Sequence, residues 1–116
     1  MTQVRVYHNP RCSKSREALA LLEARGVACQ IIEYLKNPPS LLALRTLLDT
    51  LGVECRALIR TKEPLYAELQ LAQADEDQLL AAIALHPVLL ERPIVVRGTR
   101  AVIARPPEKL LSLFNE

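Results

Sequence analysis

Apolar and polar residues alternate near the start of the chain and then adopt a helical spacing, which is followed by a short segment that contains Ile31-Ile32. The alternation over residues 3–8, broken by Asn9-Pro10, predicts a strand. The apolar spacing over residues 13–25, followed by Gly26, predicts a helix, and residues 28–34 predict a second strand. A helical crossover of this length joins parallel strands, so a βαβ unit is expected.

The middle of the chain is helical by pattern. The apolar spacing predicts four helices, over residues 41–51, 55–60, 64–71 and 76–86. Ser40 is suited to the N-cap of the first helix, and Gly52 to its end. Asp75 and Gln78 predict a capping box at the start of the last helix, which Pro87 ends.

The final part of the chain predicts a hairpin and a helix. β-Branched, apolar residues over 93–97 and 99–104 flank Gly98, a pattern typical of a tight β-hairpin. Pro106-Pro107 opens a helix over residues 108–114.

A βαβ half followed by a ββα half predicts a thioredoxin-like α/β fold, in which a mixed four-stranded sheet carries helices on both faces. We expect one domain over residues 1–116, with a helical insertion at about residues 40–87.

Composition narrows the function classes. Half of the 116 residues are apolar and 24% are charged, a balance that excludes intrinsic disorder. No apolar run is long enough to span a membrane, and the first residues lack a signal-peptide pattern, so we expect a cytoplasmic protein. The charge, 15 − 13 = +2, and only four aromatic residues argue against nucleic-acid binding.

The most informative residue is Cys12, at the point where the first strand gives way to the first helix. Backbone N–H groups and the helix dipole at that position favour a thiolate, and the same groups favour a bound oxyanion. Arg11, Lys14 and Arg16 add local positive charge. The alternative interpretation is a partly buried cysteine that acts as a small hydrophobe.

Sequence spacing restricts the thiol chemistry. Ser15 stands where a Cys-x-x-Cys enzyme has its second thiol, so an outside thiol must release whatever Cys12 binds. A phosphatase loop of the Cys-x₅-Arg type is excluded, because Ala18 occupies the position of its arginine. His8 has two open interpretations: a protonated imidazole that stabilises the thiolate, or a half-exposed histidine at a strand end.

The other thiols and the second histidine are interpreted as structural. Cys29 is expected to be buried in its strand, and Cys55 to be structural, although Arg56 beside it allows some reactivity. His86 is expected to complement a helix end. Three cysteines without a close pair predict neither a disulfide framework nor a metal site.

Five motifs, spread over nearly the whole chain, resemble the glutaredoxin-coupled arsenate reductases of the ArsC type and the related Spx proteins. They are His8-Asn9-Pro10-x-Cys12-x-x-Ser15-Arg16, Tyr34-Leu35-x-Asn37-Pro38-Pro39, Arg56-Ala57-Leu58-Ile59-Arg60, His86-Pro87 and Arg92-Pro93-Ile94-Val95-Val96. The resemblance implies that Cys12 is the nucleophile and that His8 and Ser15 tune it. It also implies that Pro93 is a cis-proline and that three arginines hold arsenate: Arg60, Arg92 and Arg105.

The function expected from the resemblance is reduction of arsenate to arsenite through a Cys12 adduct, with glutathione as co-substrate and glutaredoxin as partner. No bound cofactor is expected, and we expect a monomer. Two alternatives stay open: a monothiol oxidoreductase or deglutathionylase with another substrate, and a non-enzymatic regulator similar to Spx. The regulator ranks lowest, because Ser15 replaces a thiol of the usual Cys-x-x-Cys switch.

Overall fold

A computed structural model describes residues 3–114, which form two compact units. The first unit comprises residues 3–37 and 92–114, and the second comprises residues 38–91. The first holds the strands β1 (Val4–His8), β2 (Cys29–Glu33), β3 (Ile94–Arg97) and β4 (Arg100–Ile103), the helix α1 (Ser13–Ala24) and a final 3₁₀ helix (Pro107–Phe114). The second holds α2 (Leu41–Leu51), α3 (Pro64–Glu68) and α4 (Glu76–Leu85), with 3₁₀ turns at Cys55–Leu58, Leu71–Gln73 and Pro87–Leu89.

The four strands form one mixed sheet in the order β2-β1-β3-β4. β1 runs parallel to β2, which confirms the predicted βαβ unit, and antiparallel to β3. β3 and β4 are antiparallel, and Arg97 pairs with Arg100. Gly98 and Thr99 therefore form a two-residue turn, in which Gly98 takes a φ of 61° that few other residues adopt. The thioredoxin-like α/β architecture and the hairpin are both confirmed.

The core of the first unit forms between one face of the sheet, α1 and the final 3₁₀ helix. Alternation along β1 places Val4 and Val6 on this face, and Val95 of β3 lies opposite Val6. The other buried members of the cluster are Ala18, Leu22, Ala104, Leu110 and Leu113. Packing therefore fixes both β1 and α1, and these two elements set the position of the loop over residues 9–12 that joins them.

In the second unit, the predicted helix caps are confirmed. The Ser40 hydroxyl accepts the Ala43 N–H at 3.1 Å, and Gly52 ends α2 with a φ of 66°. Asp75 and Gln78 exchange both bonds of a capping box at the start of α4.

A single arginine holds the segment between α3 and α4. The Arg56 guanidinium donates to the Tyr66 hydroxyl at 2.7 Å, to the Leu71 carbonyl at 2.8 Å and to the Ala74 carbonyl at 3.0 Å. Arg56 therefore has a structural role in the second unit that its place in the sequence motif did not reveal.

Three sequence predictions need correction. The helix predicted over residues 64–71 ends at Glu68, because Gln70 takes a left-handed conformation with φ 56°. The helix predicted over residues 55–60 is a 3₁₀ turn that ends at Leu58, since Ile59 extends into a β-bridge with Leu90. Cys29 is only half-buried, because β2 is an edge strand of the sheet.

Across residues 3–114, the structure contains no helix that is both long enough and apolar enough to cross a membrane.

Candidate active site

Cys12 is the N-cap residue of α1, directly after the loop that leaves β1. Its backbone is extended, and its N–H donates to the Asn9 carbonyl at 3.0 Å, which closes a turn. Its own carbonyl accepts the Arg16 N–H at 3.0 Å, the first bond of the helix. Only 9% of the residue is exposed. The predicted placement of the thiol at a helix N-terminus is confirmed.

Opposing effects act on the Cys12 thiol. Burial raises its pKa, but the Ser15 N–H, the positive charge of Arg92, the Lys14 N–H and a hydrogen bond from Arg92 all lower it. The lowering effects win, so the pKa of Cys12 lies below its ordinary value. The unpaired donors of the first helical turn and one guanidinium thus favour the thiolate.

The cation that stabilises this thiolate is not one of its sequence neighbours. The Lys14 ammonium lies 3.5 Å from the Glu17 carboxylate, and the Arg16 guanidinium donates to the Pro10 carbonyl at 2.9 Å. Lys14 acts on Cys12 through its backbone N–H, whereas Arg92 supplies the charge. The sequence motif of Arg92 indicated only a ligand for the oxyanion, because the proximity of Arg92 to Cys12 depends on the pairing of β1 with β3.

Arg92 and Arg105 meet at the cis-proline segment. The Arg92–Pro93 peptide bond is cis, as the resemblance implied, and Arg105–Pro106 is a second cis bond that the sequence did not indicate. The Arg105 guanidinium donates to the Arg92 carbonyl at 2.9 Å, and the Ala104 N–H donates to the Pro93 carbonyl at 2.9 Å. The end of β4 is therefore tied to the backbone that carries Arg92.

His8 and Ser15 form a buried polar pair beside Cys12. His8 Nδ1 lies 2.7 Å from Ser15 Oγ, and that oxygen also accepts the Asn9 N–H at 3.1 Å. Burial lowers the pKa of His8; the Glu33 carboxylate opposes this effect and the charge of Arg16 adds to it. The imidazole is therefore neutral at neutral pH, so it does not stabilise the thiolate as a cation there. The alternative of a half-exposed strand-end histidine is also wrong, because His8 is 6% exposed.

The third predicted arginine belongs to the other unit. Arg60 follows the bridge residue Ile59, its N–H donates to the Leu89 carbonyl at 2.7 Å, and its guanidinium lies 3.7 Å from the Glu63 carboxylate. Its role in oxyanion binding stays a prediction.

The surroundings of the other two cysteines raise the pKa of the thiol, whereas the surroundings of Cys12 lower it. Burial raises the pKa of the Cys29 thiol. Burial and the Glu76 carboxylate raise the pKa of Cys55, against smaller effects of Arg56 and Arg45. Among residues 3–114, Cys12 is the thiol whose surroundings favour the reactive form.

Residues 3–114 contain no group of three or more His, Cys, Asp or Glu side chains arranged to hold a metal ion. The chemistry available to the site is that of a thiolate, a neutral imidazole, a hydroxyl and two guanidinium groups.

Comparison with known proteins agrees with this arrangement. The ArsC family model matches residues 7–113. The chain belongs to the ArsC family. It is 48% identical over 113 residues to the arsenate reductase of Neisseria meningitidis serogroup A, covering 95% of this chain and 97% of that protein. It is 46% identical over 112 residues to the arsenate reductase of Haemophilus influenzae, covering 94% and 97% of the two chains.

A solved structure shows that the backbone is shared as well. The arsenate reductase from Vibrio cholerae superposes on this ArsC family member with a TM-score of 0.93 and 53% sequence identity. The match covers 96% of this chain and 97% of that one. The fold is therefore that of the family throughout the matched region.

Proposed function

We propose that this ArsC family protein reduces arsenate to arsenite at Cys12, with glutathione and glutaredoxin as the sources of electrons. The observation that carries the proposal is the lowered pKa of a cysteine at a helix N-terminus beside Arg92. A thiolate nucleophile and donors for an oxyanion are thereby available at one place. The similar proteins named arsenate reductase supply the identity of the oxyanion.

Arsenate binding is assigned to guanidinium groups and to the start of α1. A planar guanidinium gives two parallel hydrogen bonds to a tetrahedral oxyanion, which an ammonium cannot match. Arg92 lowers the pKa of the Cys12 thiol, so an oxyanion held by Arg92 would lie close to the nucleophile. Arg105 is fixed to the Arg92 carbonyl, and Arg60 is proposed as the third ligand by resemblance.

The first step joins sulfur to arsenic. The Cys12 thiolate attacks the arsenic of H₂AsO₄⁻, a sulfur–arsenic bond forms, and one arsenate oxygen leaves as water with both of its protons. The helix N–H groups and Arg92, which favour the thiolate, also stabilise the negative charge of the adduct.

Electrons for the reduction must come from two external thiols, because Ser15 cannot form a disulfide with Cys12. Glutathione attacks the arsenic of the adduct: a second sulfur–arsenic bond forms, and one oxygen leaves as water with the thiol proton and a proton from solvent. A glutaredoxin thiolate then attacks the glutathione sulfur, the bond from that sulfur to arsenic breaks, and glutathione leaves as a mixed disulfide with glutaredoxin. Formation of that disulfide oxidises the two thiols by two electrons, and these electrons reduce arsenic from the +5 to the +3 state. Hydrolysis of the remaining sulfur–arsenic bond releases arsenite and restores Cys12.

The decisive experiment is steady-state arsenate reduction by the purified protein with glutathione and glutaredoxin. Cys12→Ser should abolish turnover, whereas Cys29→Ser and Cys55→Ser should retain it. Arsenite is measured directly, so that oxidation of thiols without arsenate is not counted. No arsenite from the wild-type protein, together with Cys12-dependent removal of glutathione from a glutathionylated protein, would replace this proposal by the deglutathionylase alternative.

Replacement of the arginines tests arsenate as the ligand. Arg92→Lys and Arg105→Lys keep the charge but lose the planar fork, and a charged hydrogen bond is worth about 1.5–3 kcal/mol. We expect the KM for arsenate to rise about tenfold to a hundredfold in each variant. Arg60→Lys, measured in the same way, tests its assignment by itself. Wild-type KM values in all three variants would show that the site holds a different substrate.

A further inference from the structure

One peptide group in the loop before Cys12 is held by side chains at both of its polar atoms. The peptide joins Pro10 to Arg11. Its carbonyl oxygen accepts the Arg16 guanidinium at 2.9 Å, and its N–H donates to the Asn9 side-chain oxygen at 3.0 Å. Both Pro10 and Arg11 are exposed, so water competes for these atoms, and the two side chains are what fixes the orientation of the peptide.

This peptide is the central one of a β-turn. The bond from the Cys12 N–H to the Asn9 carbonyl makes Pro10 and Arg11 the two middle residues. Proline in the first middle position is compatible with type I and type II turns, which differ by a flip of the central peptide. Among residues 3–114, Gln70 is the one non-glycine residue with positive φ, so Arg11 does not have the conformation that type II requires.

Without the two side-chain bonds, the Pro10–Arg11 peptide has only water as a partner and can tilt about the bonds on either side of it. Arg11 leads directly into Cys12, so a change in the tilt of this peptide is passed on to the N-cap residue. The Ser15 and Lys14 N–H groups lower the pKa of its thiol only while the N-cap residue keeps its place over the first turn of α1. Neither Asn9 nor Arg16 is among the groups that act on the sulfur directly.

We propose that Asn9 and Arg16 are positioning residues, which lock the Pro10–Arg11 peptide and thereby hold the Cys12 sulfur against the start of α1. Arg16 extends from the first turn of the same helix, so the lock ties the loop to the element whose N–H groups stabilise the thiolate. The Asn9 backbone is tied to the same turn, because its N–H donates to Ser15 Oγ. Asn9 and Arg16 thus act on one peptide from opposite sides.

The experiment compares Arg16→Met, Asn9→Ala and the double variant. The first readout is the rate constant for alkylation of Cys12 by iodoacetamide as a function of pH, followed by mass spectrometry. This readout does not involve arsenate, so it separates failure of the lock from failure of the proposed function. The second readout, kcat and KM for arsenate, rests on the proposed function. Circular dichroism and urea unfolding check that each variant is folded.

We expect each single substitution to raise the pKa of the Cys12 thiol and to lower its alkylation rate at neutral pH about threefold to tenfold, as expected for a displaced reactive group. kcat should fall by a similar factor, with KM for arsenate within about twofold of wild type. Arg16→Lys, which keeps one donor and the charge, should recover part of the rate.

Coupling between the two residues is the most specific outcome. Since either substitution alone releases the same peptide, the double variant should react within about twofold of the slower single variant. The control Lys109→Met removes one exposed positive charge elsewhere in the first unit and should react like wild type. Unchanged alkylation in both single variants, or effects that multiply in the double variant, would overturn the proposal.

Discussion

At the scale of single residues, three thiols in one chain show how local donors decide reactivity. Burial raises the pKa of all three cysteines. At Cys12 alone two backbone N–H groups and the Arg92 guanidinium outweigh that effect. The difference comes from the position of Cys12 at a helix N-terminus, where the N–H groups of the first turn have no partner within the helix.

We therefore expect Cys12 to be alkylated first. At neutral pH, iodoacetamide should label Cys12 faster than Cys29 or Cys55, because the lowered pKa of Cys12 gives it the larger thiolate fraction. Arg92→Met should raise the pKa of the Cys12 thiol and reduce the difference. Site-resolved mass spectrometry over a pH series measures each thiol, and equal labelling of the three cysteines in the folded protein would contradict the assignment.

His8 predicts a second pH effect, in which the lowered pKa favours the neutral form of the side chain. Its pKa in the folded state is below the ordinary value of about 6.5, so below that pH the unfolded state binds the proton more readily. The stability contribution of neutral His8 is therefore present above pH 6.5 and is lost as the pH falls through the folded-state pKa. Urea unfolding between pH 5 and pH 8 should show a larger loss on acidification for wild type than for His8→Gln. Parallel curves for the two proteins would show that His8 is not held neutral by folding.

Much of the site was visible in the sequence, but its electrostatics were not. The position of Cys12 followed from a strand pattern that ends just before a helix pattern. The source of positive charge did not follow, because Arg92 is 80 residues away in the chain and reaches Cys12 only through strand pairing. Lys14 is close in sequence but its ammonium is directed to Glu17. The residues close to Cys12 in sequence were therefore predicted correctly as its backbone donors and incorrectly as its source of positive charge.

At the scale of elements, periodic patterns and caps predicted the regular structure, and unusual backbone conformations limited the prediction. α2 and α4 begin and end close to the predicted positions because their caps are Ser40, Gly52 and Asp75. α3 ends early at a left-handed Gln70, and glutamine gives no sequence signal for that conformation. The edge position of β2 was equally hidden, because a short segment with Ile31-Ile32 does not distinguish an edge strand from a central one.

The caps predict measurable stability. Ser40→Ala removes the acceptor of the Ala43 N–H, and should lower the free energy of unfolding by about 1 kcal/mol. Thr50→Ala in the same helix is the matched control. Its hydroxyl donates back to the Thr46 carbonyl, and alanine has the higher helix propensity, so the change should be neutral or stabilise by up to about 0.5 kcal/mol. Urea unfolding measures both variants, and equal effects would show that the Ser40 hydroxyl does not cap α2.

At the scale of the whole molecule, the open edges of the sheet decide whether copies of the chain associate. The sheet ends at β2 on one side and at β4 on the other. β2 carries the exposed Ile31, with 49% of its surface accessible, and an exposed apolar edge strand is a site where a second sheet can pair. β2 is only five residues long, however, and it ends at Glu33, which forms an ion pair with Lys36 at 3.6 Å. Short length and charge at the end of a strand are features that prevent edge pairing.

We therefore expect the protein to be a monomer in solution. Light scattering coupled to size exclusion should give a mass near 13.0 kDa at micromolar and at higher concentrations. Ile31→Lys places a charge in the middle of the exposed edge and serves as the reference for a chain that cannot pair there. Wild type and Ile31→Lys should have the same mass and the same elution position. A wild-type mass of about twice the monomer value, reduced to the monomer value by Ile31→Lys, would show that β2 pairs between copies and that Glu33 does not protect the edge.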